Sequence, residues 1–404
     1  MEIQEKYYLL RRGTEACRFG AFGLTREYFR KDQVIPAAPE KTITLEIPPA
    51  KLKVMQAVVT ASCNLNCVYC SFTANAPENI DQRMSKAEIT DLSRRFNEEI
   101  GSEGLLLITG GEPELNRRAV DYLVKHVTGK IIIFTNGTLT SRERLAFYRD
   151  RGVGVLFSLD GDLFAHDTAR KTRGGSYSRV ADALLEARNL GLDYGISAVV
   201  GDHNIEKLPE LVAYIHREFQ PASLGLNLPH HYGSVWGRID EYTLAIIEIF
   251  QWAKRAGLFI DQINRRLSPL VYRKFRFRDC AAQGEKVVIF PGGAETRCVN
   301  EAGLKGPAPK WANHIPLQNA KCRECFAIAA CGGGCLFDGE SIYGPGRFDQ
   351  RNCHFTRALV THLIWDMWDA LGDEANNPAE LEQVYGSLLN RGQGTKFSVG
   401  HETA

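Results

Sequence analysis

The chain has no surplus of either charge: 49 Lys plus Arg stand against 48 Asp plus Glu, a formal net charge of +1 over 404 residues. That balance gives no basis for an extended basic surface of the kind that holds nucleic acid or acidic lipid, and neither is expected as a partner. Long apolar runs are missing as well. No stretch reaches the roughly 18 consecutive apolar residues of a membrane-spanning helix. Met1 to Arg12 mixes charged and aromatic side chains where a signal peptide would carry an apolar segment. Internal repeats are also lacking. These absences lead to the expectation of a soluble, globular, cytoplasmic protein with room for one large domain and one or two small ones.

What the chain does have is cysteine, eleven in all. In a reducing compartment disulfides are the weakest use for them, which leaves zinc or iron-sulfur clusters. Cys63, Cys67 and Cys70 fall together, seven more lie between Cys280 and Cys353, and Cys17 stands alone. Such clustering implies two separate thiolate regions rather than scattered bridges. An isolated cysteine in a strand, as Cys17 would be, is ordinarily a small buried hydrophobe.

Between about Lys53 and Leu228 short apolar runs alternate with amphipathic stretches, the pattern of strand and helix units around a parallel sheet. Strands are expected at Val54 to Thr60, Leu105 to Thr109, Lys130 to Thr135, Val153 to Leu159, Tyr194 to Val200 and Ser223 to Leu228. Six such units suit an α/β fold with a partial, TIM-like (β/α)6 barrel better than a closed eight-fold one. Ser85 and Glu88 make a capping-box pattern, after which Ile89, Leu92, Phe96 and Ile100 recur on one helical face. A further amphipathic helix is expected over Asp240 to Leu258. It leads into the basic run Arg265 to Arg278, read as a solvated linker face at a domain boundary, with a docking surface for an acidic peptide as the alternative. The first residues suggest a strand pair, Tyr7 to Arg12 and Cys17 to Leu24, then a Pro- and Lys-rich connector, Lys31 to Lys53, too short for a complete winged-helix peptide-recognition domain. The expected division is a small accessory element over 1–52, the partial barrel over 53–265, a cysteine-rich domain over 266–370, and a C-terminal helix with a mobile tail over 371–404.

Cys63, Cys67 and Cys70 follow the spacing CxxxCxxC directly after an expected strand, and no fourth cysteine lies near them. Three thiolates bind three irons of a [4Fe-4S] cube and leave one open, whereas a structural zinc site would want a fourth ligand. Gly110-Gly111-Glu112-Pro113 follows the second strand, where glycines allow a sharp turn and a close backbone approach. Thr135-Asn136-Gly137 and Ser158-Leu159-Asp160-Gly161 follow later strands, at ends where barrel folds place ligand contacts. Together these motifs resemble the radical S-adenosylmethionine (SAM) superfamily. The resemblance implies that Cys63, Cys67 and Cys70 hold a catalytic [4Fe-4S] cluster whose open iron chelates SAM, and that Tyr69 lies near the adenine. It further implies that Gly110, Gly111, Glu112 and Pro113 receive the SAM ammonium, that Asn136 and Asp160 contribute from neighbouring strand ends, and that Ser158 and Arg179 hold the SAM carboxylate and ribose. A first-turn helix surface residue is the alternative for Arg179. His166 and Asp167 are expected to be structural helix-entry residues.

The later cysteines run as Cys280, then Gly293-x4-Cys298, then Cys322-x2-Cys325-x5-Cys331-x3-Cys335, then Cys353. Two zinc sites are one reading of this spacing. It resembles the SPASM domain, a C-terminal extension of some radical SAM enzymes with two auxiliary [4Fe-4S] clusters, which would bring the total to three. The resemblance implies that Cys322, Cys325, Cys331 and Cys353 ligate the distal cluster, while Cys280, Cys298 and Cys335 give three ligands to the nearer one. Sulfatase-maturing relatives add an eighth cysteine, but none occurs here between Ala281 and Arg297. The nearer cluster is therefore expected to keep an iron that is open or held by a non-cysteine group, and a substrate thiolate is one candidate. Those relatives also carry a general-base aspartate after the second of these cysteines, where this chain has Val299. Gly332, Gly333 and Gly334 suit a loop that wraps cluster sulfide with backbone N–H groups.

Asn227, His230, His231 and Tyr232 follow the sixth strand at the expected substrate mouth, and Trp236, Trp252 and Trp311 either line a groove or fill the core. The function implied is a radical SAM peptide maturase. It would abstract hydrogen from a ribosomally made precursor peptide through a 5'-deoxyadenosyl radical and form a thioether or carbon-carbon crosslink. An electron donor such as flavodoxin or ferredoxin would serve it. The alternatives are oxidation without crosslinking, as in sulfatase maturation or alcohol dehydrogenation, and a non-catalytic iron-sulfur carrier or zinc scaffold.

Overall fold

The computed structural model describes residues 1–72, 82–230, 237–304 and 310–389. Six short runs, apolar on both faces, form adjacent parallel strands: β1 (Val54–Val58), β2 (Leu105–Thr109), β3 (Lys130–Thr135), β4 (Gly154–Ser158), β5 (Tyr194–Val199) and β6 (Ser223–Asn227). Each expected strand is present, and four of the six end one or two residues sooner than the apolar pattern suggested. Two further strands, β7 (Lys286–Ile289) and β8 (Glu295–Thr296), extend the sheet to the order β6-β5-β4-β3-β2-β1-β7-β8. Pairing is parallel throughout except between β7 and β8.

A helix follows each of the first six strands: α1 (Lys86–Glu99), α2 (Arg117–His126), α3 (Arg142–Asp150), α4 (Tyr177–Asn189), α5 (Leu208–Phe219) and α6 (Ile239–Ala256). Successive strand residues point to opposite faces, so Met55, Ala57, Leu106, Ile108, Ile131, Ile133, Val155 and Phe157 join the large core with the helices. Val54, Leu105, Leu107 and Ile132 pack on the other face with Phe134 and Leu156. This is the α/β partial barrel that the strand and helix pattern implied. The capping box is present, Ser85 Oγ accepting from Glu88 N and Glu88 bonding back to the cap. Among the described residues no helix is long and apolar enough to cross a membrane.

Two local expectations are corrected. The second N-terminal strand is Glu15–Gly20 rather than Cys17 to Leu24, because the chain turns after Gly20, with Leu24 at φ 52°, and returns as a third strand, Arg26–Phe29. This small sheet packs on the helix Gln350–Leu371, where Tyr28 stacks on Trp368 at 4.5 Å. The basic run is not a solvated linker. Asp261–Tyr272 is a helix that buries Ile263, Leu267, Leu270 and Val271, and Arg266 and Arg276 turn inward onto the buried Asp279. A charge run reads as solvated only when no counter-charge is buried beneath it.

Candidate active site and cysteine centres

The strand ends of the barrel carry the first centre. After β1 the chain passes through Thr60 to Ser62 into the three-cysteine loop, and after β2 it enters Gly110-Gly111-Glu112. Backbone bonds lace these segments together, Gly111 N donating to Thr60 O and Glu112 N to Ser62 O, each at 2.9 Å. A Cβ on Gly110 would sit 2.5 Å from Thr60 O, and one on Gly111 2.4 Å from Ser62 O. Only glycine permits that approach.

Glu112 is completely buried. Its carboxylate accepts from Thr135 Oγ1 at 2.8 Å, Asn136 N at 2.7 Å and Glu114 N at 3.1 Å, which joins the ends of β2 and β3. Burial pushes its carboxyl up to about 7 against the pull of those donors. Asn136 extends the link, since its Nδ2 donates to Asn64 Oδ1 at 2.9 Å and lies 3.9 Å from Cys63 Sγ.

The far side of the cysteine loop is clipped to the segment after β4. Asn66–Cys67 pairs antiparallel with Arg170–Lys171, and Arg170 donates twice to the Asp160 carboxylate at 3.0 Å. Asp160 also accepts from Tyr69 OH and from Val199 N. Burial alone would raise the Asp160 carboxyl, but Arg170 outweighs it and holds the group well below the usual range. The Tyr69 ring lies 5.4 Å from the Arg170 guanidinium and 5.8 Å from the His203 imidazole. Arg170 and His203 had no assigned role from sequence, because an ion pair between loops has no fixed spacing.

Ser158 ends β4 opposite Ser197 of β5. Arg179 is exposed on the first turn of α4 and donates to Gly175 O at 3.0 Å. Asp167 caps the same helix, its carboxylate accepting from Ser176 N at 2.8 Å and Tyr177 N at 2.9 Å, while His166 is buried with Nε2 3.0 Å from Ser176 Oγ. Both are structural, as their place at a helix entry implied. Burial raises the Cys63 thiol and pushes Cys67 up to about 11, and each also feels Cys70. Phe72, just past the motif, clusters with Val58, Val288, Phe290 and Val299. The residue after Cys298 therefore belongs to the same small core as the first cysteine loop.

The seven later cysteines gather into two groups. Cys322, Cys325, Cys331 and Cys353 influence one another electrostatically, and burial pushes Cys322 and Cys353 up to about 12. Cys280, Cys298 and Cys335 form the second group. It is walled by Ala282, Leu336, Phe337 and Trp311, and Trp311 is wholly buried. Gly332, Gly333 and Gly334 all take positive φ, and a Cβ on Gly332 would meet the Arg278 backbone at 2.7 Å. Cys17 stands in the large core, and burial pushes its thiol up to about 12.

His230 follows β6 and reaches the three-cysteine group. Its Nδ1 is 3.0 Å from Asp338 Oδ2 and 3.9 Å from Cys335 Sγ. A cavity of about 310 Å³ lies here, with Asn227, His230, Cys335, Asp338 and Arg351 on its wall. Trp252 meets His216 edge-on at 5.4 Å. His231, Tyr232 and Trp236, like the tail after Leu389, lie outside the described residues.

The Radical SAM superfamily model matches residues 57–215. The chain is similar to a radical SAM cyclopropyl synthase, TigE, of Paramaledivibacter caminithermalis, 22% identical over 360 residues that cover 78% of this chain and 74% of that protein. It is also similar to a serine-type anaerobic sulfatase-maturating enzyme of Bacteroides thetaiotaomicron, 33% identical over 180 residues, which is 40% of this chain and 43% of the other. Among solved structures, anSMEcpe with bound AdoMet superposes with a TM-score of 0.64 at 17% identity, over 81% of this chain and 99% of that one. SuiB of Streptococcus suis bound to precursor peptide SuiA gives 0.54 at 16% identity, over 75% and 76%. These two superpositions establish a shared fold. The matched segment holds the three-cysteine loop, the Gly110 to Pro113 turn and strands β2 to β5, and residues 57–215 accordingly form a radical SAM domain, which makes the chain an enzyme.

Proposed function

We propose that this enzyme matures a ribosomally made precursor peptide, forming a thioether or carbon-carbon crosslink. The observation that carries the reading is the gathering of the seven later cysteines into a group of four and a group of three, the latter beside a cavity at the end of β6. Two similar proteins point the same way, one a cyclopropyl synthase and the other solved with a precursor peptide.

In this reading Cys63, Cys67 and Cys70 hold a [4Fe-4S] cluster, and the donor set suits it: three adjacent thiols on a loop that glycines and backbone bonds fix at the strand ends. When bound, cluster and SAM supply a 5'-deoxyadenosyl radical that removes hydrogen from the substrate. The chain's own part is placement. Glu112 and the carbonyls of Gly110 and Gly111 receive the SAM ammonium beside Pro113, and Asn136 and Ser158 border the same strand ends. Asp160 positions Tyr69 through their hydrogen bond, and Arg179 reaches the carboxylate or ribose by leaving Gly175. Cys322, Cys325, Cys331 and Cys353 hold one auxiliary cluster and Cys280, Cys298 and Cys335 the other, within a cysteine-rich unit over 266–370 that lends β7 and β8 to the barrel sheet. A small reducing protein such as flavodoxin or ferredoxin supplies electrons.

Oxidation without a new bond is the second reading, favoured by the likeness to a sulfatase-maturating enzyme. Val299 weighs against it, because an apolar side chain packed with Phe72 cannot take a proton.

Anaerobic reconstitution tests the proposal, with iron counted and 5'-deoxyadenosine measured after reduction. The native chain is expected to bind about twelve irons and cleave SAM. The triple change of Cys63, Cys67 and Cys70 to Ala is expected to lose about four irons and all cleavage. Zinc in place of iron, or full clusters without cleavage, would overturn it. A peptide product lighter by a pair of hydrogens and unreactive toward a hydrazine supports crosslinking, whereas a hydrazine-reactive aldehyde product supports the second reading.

A further inference from the structure

The group of Cys280, Cys298 and Cys335 leaves one coordination position of a four-iron cluster without a thiolate. Every other cysteine in the chain is accounted for. Cys17 is buried in the large core among Phe19, Leu24 and their neighbours, and no cysteine lies between Ala281 and Arg297. The structure instead brings a histidine to the group from a different part of the chain.

His230 stands at the end of the barrel's last helix-linked strand, yet its ring faces the cysteine-rich unit, edge-on to Phe337 at 5.5 Å. One ligand atom each from His230, Cys335 and Asp338 lie within 4.8 Å of one another, a grouping not repeated among the described residues. Asp338 is 2% exposed and is itself held by Arg351, whose Nη2 donates to Asp338 Oδ2 at 3.0 Å. Both Asp338 oxygens sit at hydrogen-bond distance from His230 Nδ1, at 3.0 and 3.1 Å. The same Nδ1 lies 3.9 Å from Cys335 Sγ, so the ring edge held by the carboxylate is also the edge nearest that thiol. Metal-binding histidines are typically oriented by a carboxylate that holds the ring.

We propose that His230 is the fourth protein ligand of the auxiliary cluster at Cys280, Cys298 and Cys335, with Asp338 and Arg351 orienting its ring. The inference rests on the reading that these three thiolates hold a cluster. It has two consequences. A neutral imidazole in place of a thiolate leaves the cluster one negative charge fewer and raises its potential, as histidine does in other iron-sulfur proteins, which suits an acceptor of the electron left on a substrate radical. A substrate thiolate can then reach that iron only by displacing the imidazole, so thiolate binding becomes an exchange rather than capture at a vacant position.

The test uses the full chain, reconstituted anaerobically and reduced, with histidine at natural abundance or labelled with nitrogen-15, and reads nitrogen hyperfine coupling by pulsed electron paramagnetic resonance. A strong coupling from a directly bonded nitrogen is expected, shifting with the isotope and vanishing in His230→Gln, with the other two clusters unaltered. In Asp338→Asn, which keeps the shape of the side chain, the coupling is expected to persist with a changed magnitude. A full complement of about twelve irons with no histidine coupling would overturn the ligand assignment and leave the cluster in place. If Cys280→Ala instead leaves iron content and spectra unchanged, these thiolates hold no cluster, and the underlying reading falls with the inference.

Discussion

Glu112 sets complete burial against three hydrogen-bond donors, and burial wins: the carboxyl is pushed up to about 7. In the unliganded enzyme it is therefore partly protonated near neutrality. The SAM ammonium proposed to bind here needs the carboxylate form, so its binding would release a proton. SAM affinity is expected to fall as pH drops below about 7, by up to roughly tenfold per unit, and equilibrium dialysis between pH 6 and 8.5 measures it. Glu112→Gln should bind weakly and without that slope. The sign for stability is separate. The folded chain keeps a proton that the unfolded chain releases at the ordinary value of 4.5, so this group lowers unliganded stability as pH rises from there through about 7. Asp160 is the contrast, since the same depth of burial is overridden by Arg170 and the carboxylate stays charged.

Among the elements, α1 links two parts of the molecule. Its cap residue Ser85 accepts from Glu88 N, and Glu88 in turn accepts from Gly292 N at 2.7 Å in the turn between β7 and β8. Ser85→Ala is expected to cost about 1 kcal/mol, measured by urea unfolding of the reconstituted enzyme, with iron content unchanged. The capping box and the strands were legible because their signals are local: a fixed spacing in one case, apolar runs bounded by turns in the other. Strand ends were less so. The residues just past β1 and β2 leave the ladder to hold each other through Gly110 and Gly111, and an apolar count does not register that change. β7 was missed although Lys286-Val-Val-Ile lies between glycines, because a short run says nothing about which sheet it joins.

At the scale of the molecule, buried charge ties the helix Asp261–Tyr272 to the segment before Cys280 and to the helix Gln350–Leu371. Asp279 sits next to Cys280 and takes Arg266 Nη1 at 3.1 Å and Arg276 Nε at 3.0 Å, with Arg265 at 3.8 Å. Arg266 also donates to Asn352, whose own Nδ2 donates to Cys331 Sγ at 3.3 Å. The node thus touches both cysteine groups. Burial alone would raise the Asp279 carboxyl, but the arginines hold it far below its ordinary range. Asp279→Ala strands guanidinium groups without their counter-charge and is expected to cost about 3 to 5 kcal/mol. Urea unfolding reads the loss, and iron should be depleted as Cys280 loses its anchor.

The sequence by itself determined the barrel class, the three-cysteine loop, the glycine turn and the recurrence of the later cysteines, because each depends on residue type at fixed local spacing. Tertiary structure alone decided which distant groups meet. It put Arg170 on Asp160, turned a basic run inward onto Asp279, and carried His230 from a barrel strand end to Cys335 and Asp338. Those encounters depend on how the chain closes in space, and burial then gives them strength that no exposed pair of the same residues would have.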